Sequence, residues 1–81
     1  MIIKYIKSPY RISYVYNDIV RIYIPDILVI FKNNIKKLIE IKPKKLLQNK
    51  IVQLKAKYAK EYCKQYQMSY WFWTEKDLIL V

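Results

Sequence analysis

Two carboxylates and one lysine are the residues of this chain whose types and spacing could do chemistry. Asp26 lies between the apolar runs Ile22-Tyr23-Ile24-Pro25 and Ile27-Leu28-Val29-Ile30-Phe31, and Glu40 is set within Leu38-Ile39-Glu40-Ile41-Lys42. An ionised carboxylate in an apolar, strand-like segment is penalised by desolvation unless a metal ion or a cation partners it. Asp26 precedes the turn near Asn33-Asn34 by about as many residues as Glu40 follows it. If that turn joins two antiparallel strands, the carboxylates are expected to be cross-strand neighbours about 5 Å apart. Residues 40 and 42 of one strand share a face, so Lys42 is expected to join them. Two hard oxygen donors, with the carbonyl of Ile41 as a further ligand, suit Mg²⁺ or Mn²⁺. A cation held there would lower the pKa of a bound water and stabilise charge on a phosphate. Lys42 would orient or activate the attacking water and neutralise the pentavalent phosphorane. The chemistry implied is metal-assisted hydrolysis of a phosphodiester. The plainer alternative for the same residues is a buried ion pair, Glu40 with Lys42 or Asp26 with a lysine.

The elements that must position these residues are legible in outline. Ile2 to Lys7 reads as a short strand broken by Ser8-Pro9. Arg11–Tyr16 and Ile19–Ile24 read as two strands joined at Asn17-Asp18, residues that tolerate the left-handed conformation of a tight hairpin. Pro25 interrupts the ladder just before Asp26. Ile27 to Phe31 is a continuous apolar run, as in a buried central strand. Lys32-Asn33-Asn34 is a turn, Lys37 to Lys42 a strand, and Pro43 its end. From about Leu46 to Tyr66 the period becomes helical. Ile51, Leu54, Tyr58 and Tyr62 form a stripe, flanked by Val52, Ala59 and Cys63, opposite Lys50, Lys57, Lys60 and Lys64. Met68 to Trp73 is a further strand, and its aromatic run Tyr70-Trp71-Phe72-Trp73 is read as core of a central strand rather than as a platform for bases. Thr74 is expected to cap a short turn with Asp77 and Glu75. A strand–helix–strand crossover makes the last strand parallel to 37–42. The fold class expected is α/β (α+β): a mixed central β-sheet with one long helix packed on one face, as a single domain over residues 1–81.

Composition narrows the chemistry. The chain has sixteen basic and six acidic residues, a net charge of +10 over 81 residues. Such a balance favours a polyanionic partner. Codon bias towards A/T accounts for part of the lysine count, since Lys, Ile, Asn and Tyr abound and glycine is absent. There is no histidine and one cysteine, Cys63, so Cys/His zinc sites, a Ser-His-Asp system and an internal disulfide are excluded. Cys63 is expected to be packed beneath the helix. No apolar run reaches transmembrane length, and the first residues lack a signal-peptide core, so the cytoplasm of the host cell is the expected location, with association to a virion as a variant.

The segments Tyr23-Ile24-Pro25-Asp26-Ile27-Leu28-Val29 and Leu38-Ile39-Glu40-Ile41-Lys42-Pro43 resemble the core of the PD-(D/E)XK nuclease superfamily, within it the TnsA-type transposon endonuclease and the phage head completion nuclease. Tyr14 to Asp18 with Arg21 resembles the preceding hairpin of those families. Lys55 to Cys63 resembles their helix, and Trp73-Thr74-Glu75-Lys76-Asp77-Leu78 their closing strand and turn. The resemblance implies a restriction-endonuclease-like core, Asp26, Glu40 and Lys42 as catalytic residues, Mg²⁺ or Mn²⁺ as cofactor and DNA as substrate. Those families usually carry an additional acid on a helix ahead of the first strand, and this chain has none before Asp18. The expectations for that departure are a missing ligand, completion by another chain, or a degenerate or truncated copy. Lys44 and Lys45, which follow the cluster directly, are expected to meet phosphates, with Arg21, Lys50 and Lys57 as further contacts. A homodimer or a viral or transposon assembly partner, and no membrane, complete the expected set. The competing function from another class is a non-catalytic DNA-binding or virion head-assembly module of the same fold.

Overall fold

A chain without glycine must build its left-handed turns from other residues, and Asn and Asp tolerate that conformation best. Asn17 (φ 50°) and Asp18 (φ 60°) do so together between β2 (Ile12–Tyr16) and β3 (Ile19–Tyr23). Tyr16 opposes Ile19, so the loop is the two-residue hairpin expected of this pair. Asn34 (φ 66°) turns the chain between β4 (Ile27–Phe31) and β5 (Lys36–Ile41), and Gln67 (φ 57°) turns it out of the long helix. The computed structural model describes residues 1–78.

β1 (Ile2–Lys7) pairs antiparallel with β4, β4 antiparallel with β5, and β5 parallel with β6 (Ser69–Trp73). The sheet order is β1-β4-β5-β6. The mixed sheet and its parallel crossover are as expected. The β2–β3 hairpin stands apart as its own two-stranded sheet, because β1 takes the edge of β4. The aromatic strand β6 is an edge, not a central strand. This corrects the reading of its aromatic run as core for Trp71, which is 48% exposed, while Tyr70 packs against the core cluster and Phe72 and Trp73 are half-buried.

The crossover runs through a 3₁₀ turn, Lys44–Leu46, and then α1, Lys50–Gln65. The helix therefore starts four residues later than its periodicity suggests. Asn49 accounts for the boundary: its side-chain oxygen accepts from the backbone N–H of Ile51 (2.9 Å) and Val52 (3.2 Å). Asn49→Ala is expected to cost about 1 kcal/mol of stability, measurable by urea unfolding. The deepest residues of α1 are the small ones, Ala56, Ala59 and Cys63, while Leu54, Tyr58 and Tyr62 are half-buried. Short side chains let the helix sit close to the sheet, and the larger ones spread along its flanks. Ala59 and Cys63 meet Leu28 and Leu38 of the sheet and Ile12, Tyr14 and Tyr23 of the hairpin in one apolar cluster. Burial pushes the Cys63 thiol up to about 11, which keeps it neutral and inert. The hairpin and α1 thus lie on the same face of the four-stranded sheet, the face that also carries Glu40.

Candidate metal and nucleic-acid site

The register makes the site. Leu28 opposes Leu38 and Ile27 opposes Ile39, where the ladder ends; Asp26 lies one residue before that end and Glu40 one residue after it, close enough that the Asp26 charge acts on Glu40. Pro25 is fully buried and lacks an N–H, which ends the ladder and anchors the backbone as it reaches Asp26. The Asp26 carbonyl accepts from Ser8 N–H at 2.8 Å, tying the end of β1 to the same point. The Asp26 side chain is half-buried, and its Oδ2 accepts from Ile41 N–H at 2.7 Å. Its Oδ1 has no hydrogen-bond partner among the described residues.

Among the described residues Glu40 is the one charged side chain that is buried, 7% exposed. Its Oε1 accepts from the Tyr23 hydroxyl at 2.7 Å, and Oε2 faces Lys42 Nζ at 3.5 Å. The Tyr23 and Tyr70 hydroxyls are 2.7 Å apart. Tyr23 spends its single proton on Glu40, so Tyr70 is the donor to Tyr23, and a chain runs from Tyr70 through Tyr23 to the carboxylate. Burial raises the pKa of both phenols, and in Tyr23 the bonds to Tyr70 and Glu40 raise it further. Both stay protonated donors at any working pH. Tyr23 comes from the hairpin and Tyr70 from β6, so three separate elements converge on Glu40.

The Glu40 carboxyl itself is raised above its ordinary range. Burial is the largest cause, and the nearby Asp26 charge adds to it; the Tyr23 hydrogen bond and Lys42 oppose it. A carboxyl raised in the folded state stabilises the fold below its unfolded pKa, and that stability is lost as pH rises through the folded value. Without a divalent cation, Glu40→Gln is therefore expected to become progressively more stable than the parent as pH rises from the ordinary carboxylate range towards neutrality. Thermal unfolding of both proteins in EDTA across that range checks it, and a pH-independent difference would refute it.

Lys42 follows β5, and its N–H donates to the Trp73 carbonyl at 3.0 Å, extending the β5–β6 pairing one rung. Lys44 and Lys45 lie just beyond it on the 3₁₀ turn, both exposed. Glu75, expected to cap its own turn, does something else: both its oxygens accept from Lys44 N–H, at 3.1 and 3.2 Å. The turn is capped by Asp77, whose Oδ2 accepts from Thr74 N–H at 2.7 Å, while Thr74 Oγ1 accepts from Lys76 N–H. Lys50 opens α1, and Lys57 lies two turns on; both are exposed. Arg21 is exposed on β3, its guanidinium 5.4 Å from the Tyr16 ring centroid. Among the described residues no hydrogen bond or ion pair joins Arg21, Lys50 or Lys57 to the carboxylates.

Sequence reasoning missed Tyr23, Tyr70 and Lys55 as neighbours of the site. Lys55 Nζ lies 5.5 Å from the Tyr23 ring centroid and 5.9 Å from that of Tyr14, bringing a helix cation beside the tyrosine that holds Glu40. The parallel register pairs Leu38 with Tyr70 and Glu40 with Phe72, so residues 38, 40, 70 and 72 share a face. That alternation could have placed Tyr70 beside Glu40; nothing in the sequence orients the hairpin that delivers Tyr23.

The donor set fits a hard divalent cation: two half-buried or buried carboxylates, one with a free oxygen, and backbone carbonyls at a strand end. Among the described residues no three His, Cys, Asp or Glu side chains gather into a metal cluster. The remaining ligands would be water and substrate phosphate, as is usual for Mg²⁺. The family model for the TnsA-like endonuclease N-terminal domain matches residues 1–75. No curated protein matches the chain.

Proposed function

The chain belongs to the TnsA-like endonuclease N-terminal family, and from that premise we propose that it hydrolyses DNA phosphodiester bonds with the help of Mg²⁺ or Mn²⁺. The observation that carries this reading is the meeting of Asp26, Glu40 and Lys42 at the adjoining ends of β4 and β5. A cation bound by Asp26 and Glu40, with the Ile41 carbonyl as a further ligand, would supply an activated water and charge stabilisation at the phosphate. The protein groups have distinct tasks around it. The Tyr70–Tyr23 chain holds Glu40 in one orientation while leaving Oε2 to face the site. Ile41 N–H fixes Asp26 so that Oδ1 is free. Lys42 balances the charge of Glu40 in the resting site and is placed to neutralise charge that builds on the phosphate oxygens. Lys44 and Lys45 would hold the flanking phosphates, with Arg21, Lys50 and Lys57 adding to a salt-dependent affinity. The biological setting we infer is mobile DNA, a transposon or a phage, with head completion as one such role.

The absence of a third acidic side chain at the site, among the described residues, favours a second reading: a DNA-binding or assembly module that keeps the fold without the chemistry. Incubation of supercoiled plasmid with Mg²⁺ or Mn²⁺, beside EDTA and the Asp26→Asn variant, separates the two. Metal-dependent nicking that the variant lacks supports the nuclease. Salt-sensitive DNA binding with no nicking under any metal supports the module and overturns the nuclease.

A further inference from the structure

Each carboxylate of the site is tied by one oxygen and open at the other. Asp26 Oδ2 accepts from Ile41 N–H at 2.7 Å, while Oδ1 has no hydrogen-bond partner among the described residues. Glu40 Oε1 accepts from the Tyr23 hydroxyl at 2.7 Å, while Oε2 faces only the Lys42 ammonium, at 3.5 Å. The two ties differ in kind. Ile41 belongs to β5, so its N–H comes with the strand and Asp26 is held by the sheet itself. The Tyr23 hydroxyl is delivered by the hairpin, a separate sheet, and no strand pairing requires it. A phenylalanine there would fill the same apolar space without the donor.

The tyrosine is braced from several directions. It is buried, and its hydroxyl lies 2.7 Å from that of Tyr70. Lys55 Nζ sits over its ring, 5.5 Å from the centroid. Tyr70 meets Phe72 edge to face, the ring centroids 5.4 Å apart. A phenol fixed in this way does not follow a carboxylate that turns. Turning Glu40 to present both oxygens breaks the bond and leaves a buried hydroxyl short of a partner, which is costly. Divalent cations differ in what they ask of a carboxylate. Mg²⁺ demands near-ideal octahedral geometry, is served by single oxygens and keeps several waters. Ca²⁺ takes more oxygens in a looser arrangement and often binds a carboxylate through both.

We propose that Tyr23, braced by Tyr70, is a positioning residue that sets the ion preference of the site: by holding Glu40 Oε1 it confines Glu40 to one free oxygen and so disfavours Ca²⁺ relative to Mg²⁺ and Mn²⁺. This role rests on the nuclease reading above, which puts a divalent cation at Asp26 and Glu40, and adds to it the hydroxyl that selects among such cations. With Asp26 Oδ1, Glu40 Oε2 and the Ile41 carbonyl, the chain supplies a sparse set of oxygens, and water and phosphate supply the rest. That set suits the smaller ion. Removing the hydroxyl frees Oε1, which gives Ca²⁺ a further oxygen and gives Mg²⁺ little.

The test reads ion binding rather than cutting. Mn²⁺ is bound to the full chain without DNA and followed by the loss of its free-ion electron paramagnetic resonance signal. Mg²⁺ or Ca²⁺ then displaces it, and the ratio of the two displacement constants is compared between variants. Tyr23→Phe is expected to move that ratio towards Ca²⁺ by about tenfold or more. Tyr70→Phe, which keeps the Tyr23–Glu40 bond and removes only its support, is expected to move it the same way by about threefold. Asn49→Ala, outside the network, is expected to lower the melting temperature and leave the ratio unchanged. Proportional loss of both ions in Tyr23→Phe would make Tyr23 a packing residue and overturn the role. If that variant shows no cooperative melt, Tyr70→Phe decides, and an unmoved ratio there overturns the role. Plasmid nicking by the parent separates the two ways of failing. Nicking with a ratio that Tyr23→Phe leaves unmoved overturns the ion-selecting role alone. A parent that neither nicks nor binds Mn²⁺ overturns the nuclease reading and this role with it.

Discussion

Lys42→Ala is expected to lower metal-dependent DNA nicking by about 10²–10³-fold while leaving affinity for DNA nearly unchanged. The magnitude is that of removing one preorganised charge-stabilising group from a transition state. The reason lies in the position of the ammonium. Lys42 Nζ is 3.5 Å from Glu40 Oε2 and its side chain is 30% exposed, so it is anchored at the site yet open to an incoming phosphate. Its backbone is held by the Trp73 carbonyl, so the lysine is delivered by sheet geometry rather than by a loop. DNA binding spreads over many other lysines and should change little. Two assays suffice, plasmid nicking and filter binding at one salt concentration. Equal losses in both would mean that Lys42 only binds, and no loss in nicking would remove it from the chemistry. The change should not unfold the protein, because Glu40 keeps its Tyr23 donor, and a thermal melt of the variant verifies that control.

The second large effect is on stability. Leu38→Ala is expected to destabilise the protein by about 2–5 kcal/mol. Leu38 is completely buried on β5, between Leu28 of β4 and Tyr70 of β6, beneath Ala59 and Cys63 of α1. Every layer of the fold touches the cavity such a change would leave. Domains of this size have a total stability of only about 5–15 kcal/mol, and small ones lie at the low end. A large part of the population should therefore be unfolded near physiological temperature. Urea unfolding followed by tryptophan fluorescence checks this. A loss below about 1 kcal/mol would mean that the helix settles into the space and that the core is looser than its burial implies. Leu38 also lies two residues before Glu40 on the same face, so nicking should fall in step with the folded fraction.

Much of this was legible before any coordinates. The hairpin at Asn17-Asp18, the central apolar strand Ile27–Phe31 and the parallel return of β6 follow from local signals: turn residues that tolerate the left-handed conformation, continuous apolar runs and the change of period from two to helical. The expectation that Asp26 and Glu40 face each other came from counting residues on each side of one turn, because the side-chain period of a strand is two and a short turn leaves little freedom of register; the β4–β5 ladder ends one residue short of them, at Ile27 and Ile39. The Glu40–Lys42 pair followed from the same period.

What only the tertiary structure decided is which elements share an edge and which face of the sheet carries the hairpin and α1. That β1 pairs with β4 and leaves the hairpin as a separate sheet is not written in either strand, because any strand edge can offer the same backbone hydrogen bonds. Its consequences are large. It makes β6 an edge, which exposes Trp71, and it frees the hairpin to carry Tyr23 over Glu40. Glu75 reaching Lys44 is of the same kind, a contact across thirty-one positions that no local pattern specifies. The local sequence thus determined the carboxylates, the lysine and the strands that bear them, since those depend on spacing within one element or across one turn. The support around them, Tyr23 and Tyr70 on Glu40 and Ile41 on Asp26, depends on long-range packing, where burial and charge are settled by the sum of contacts from every layer.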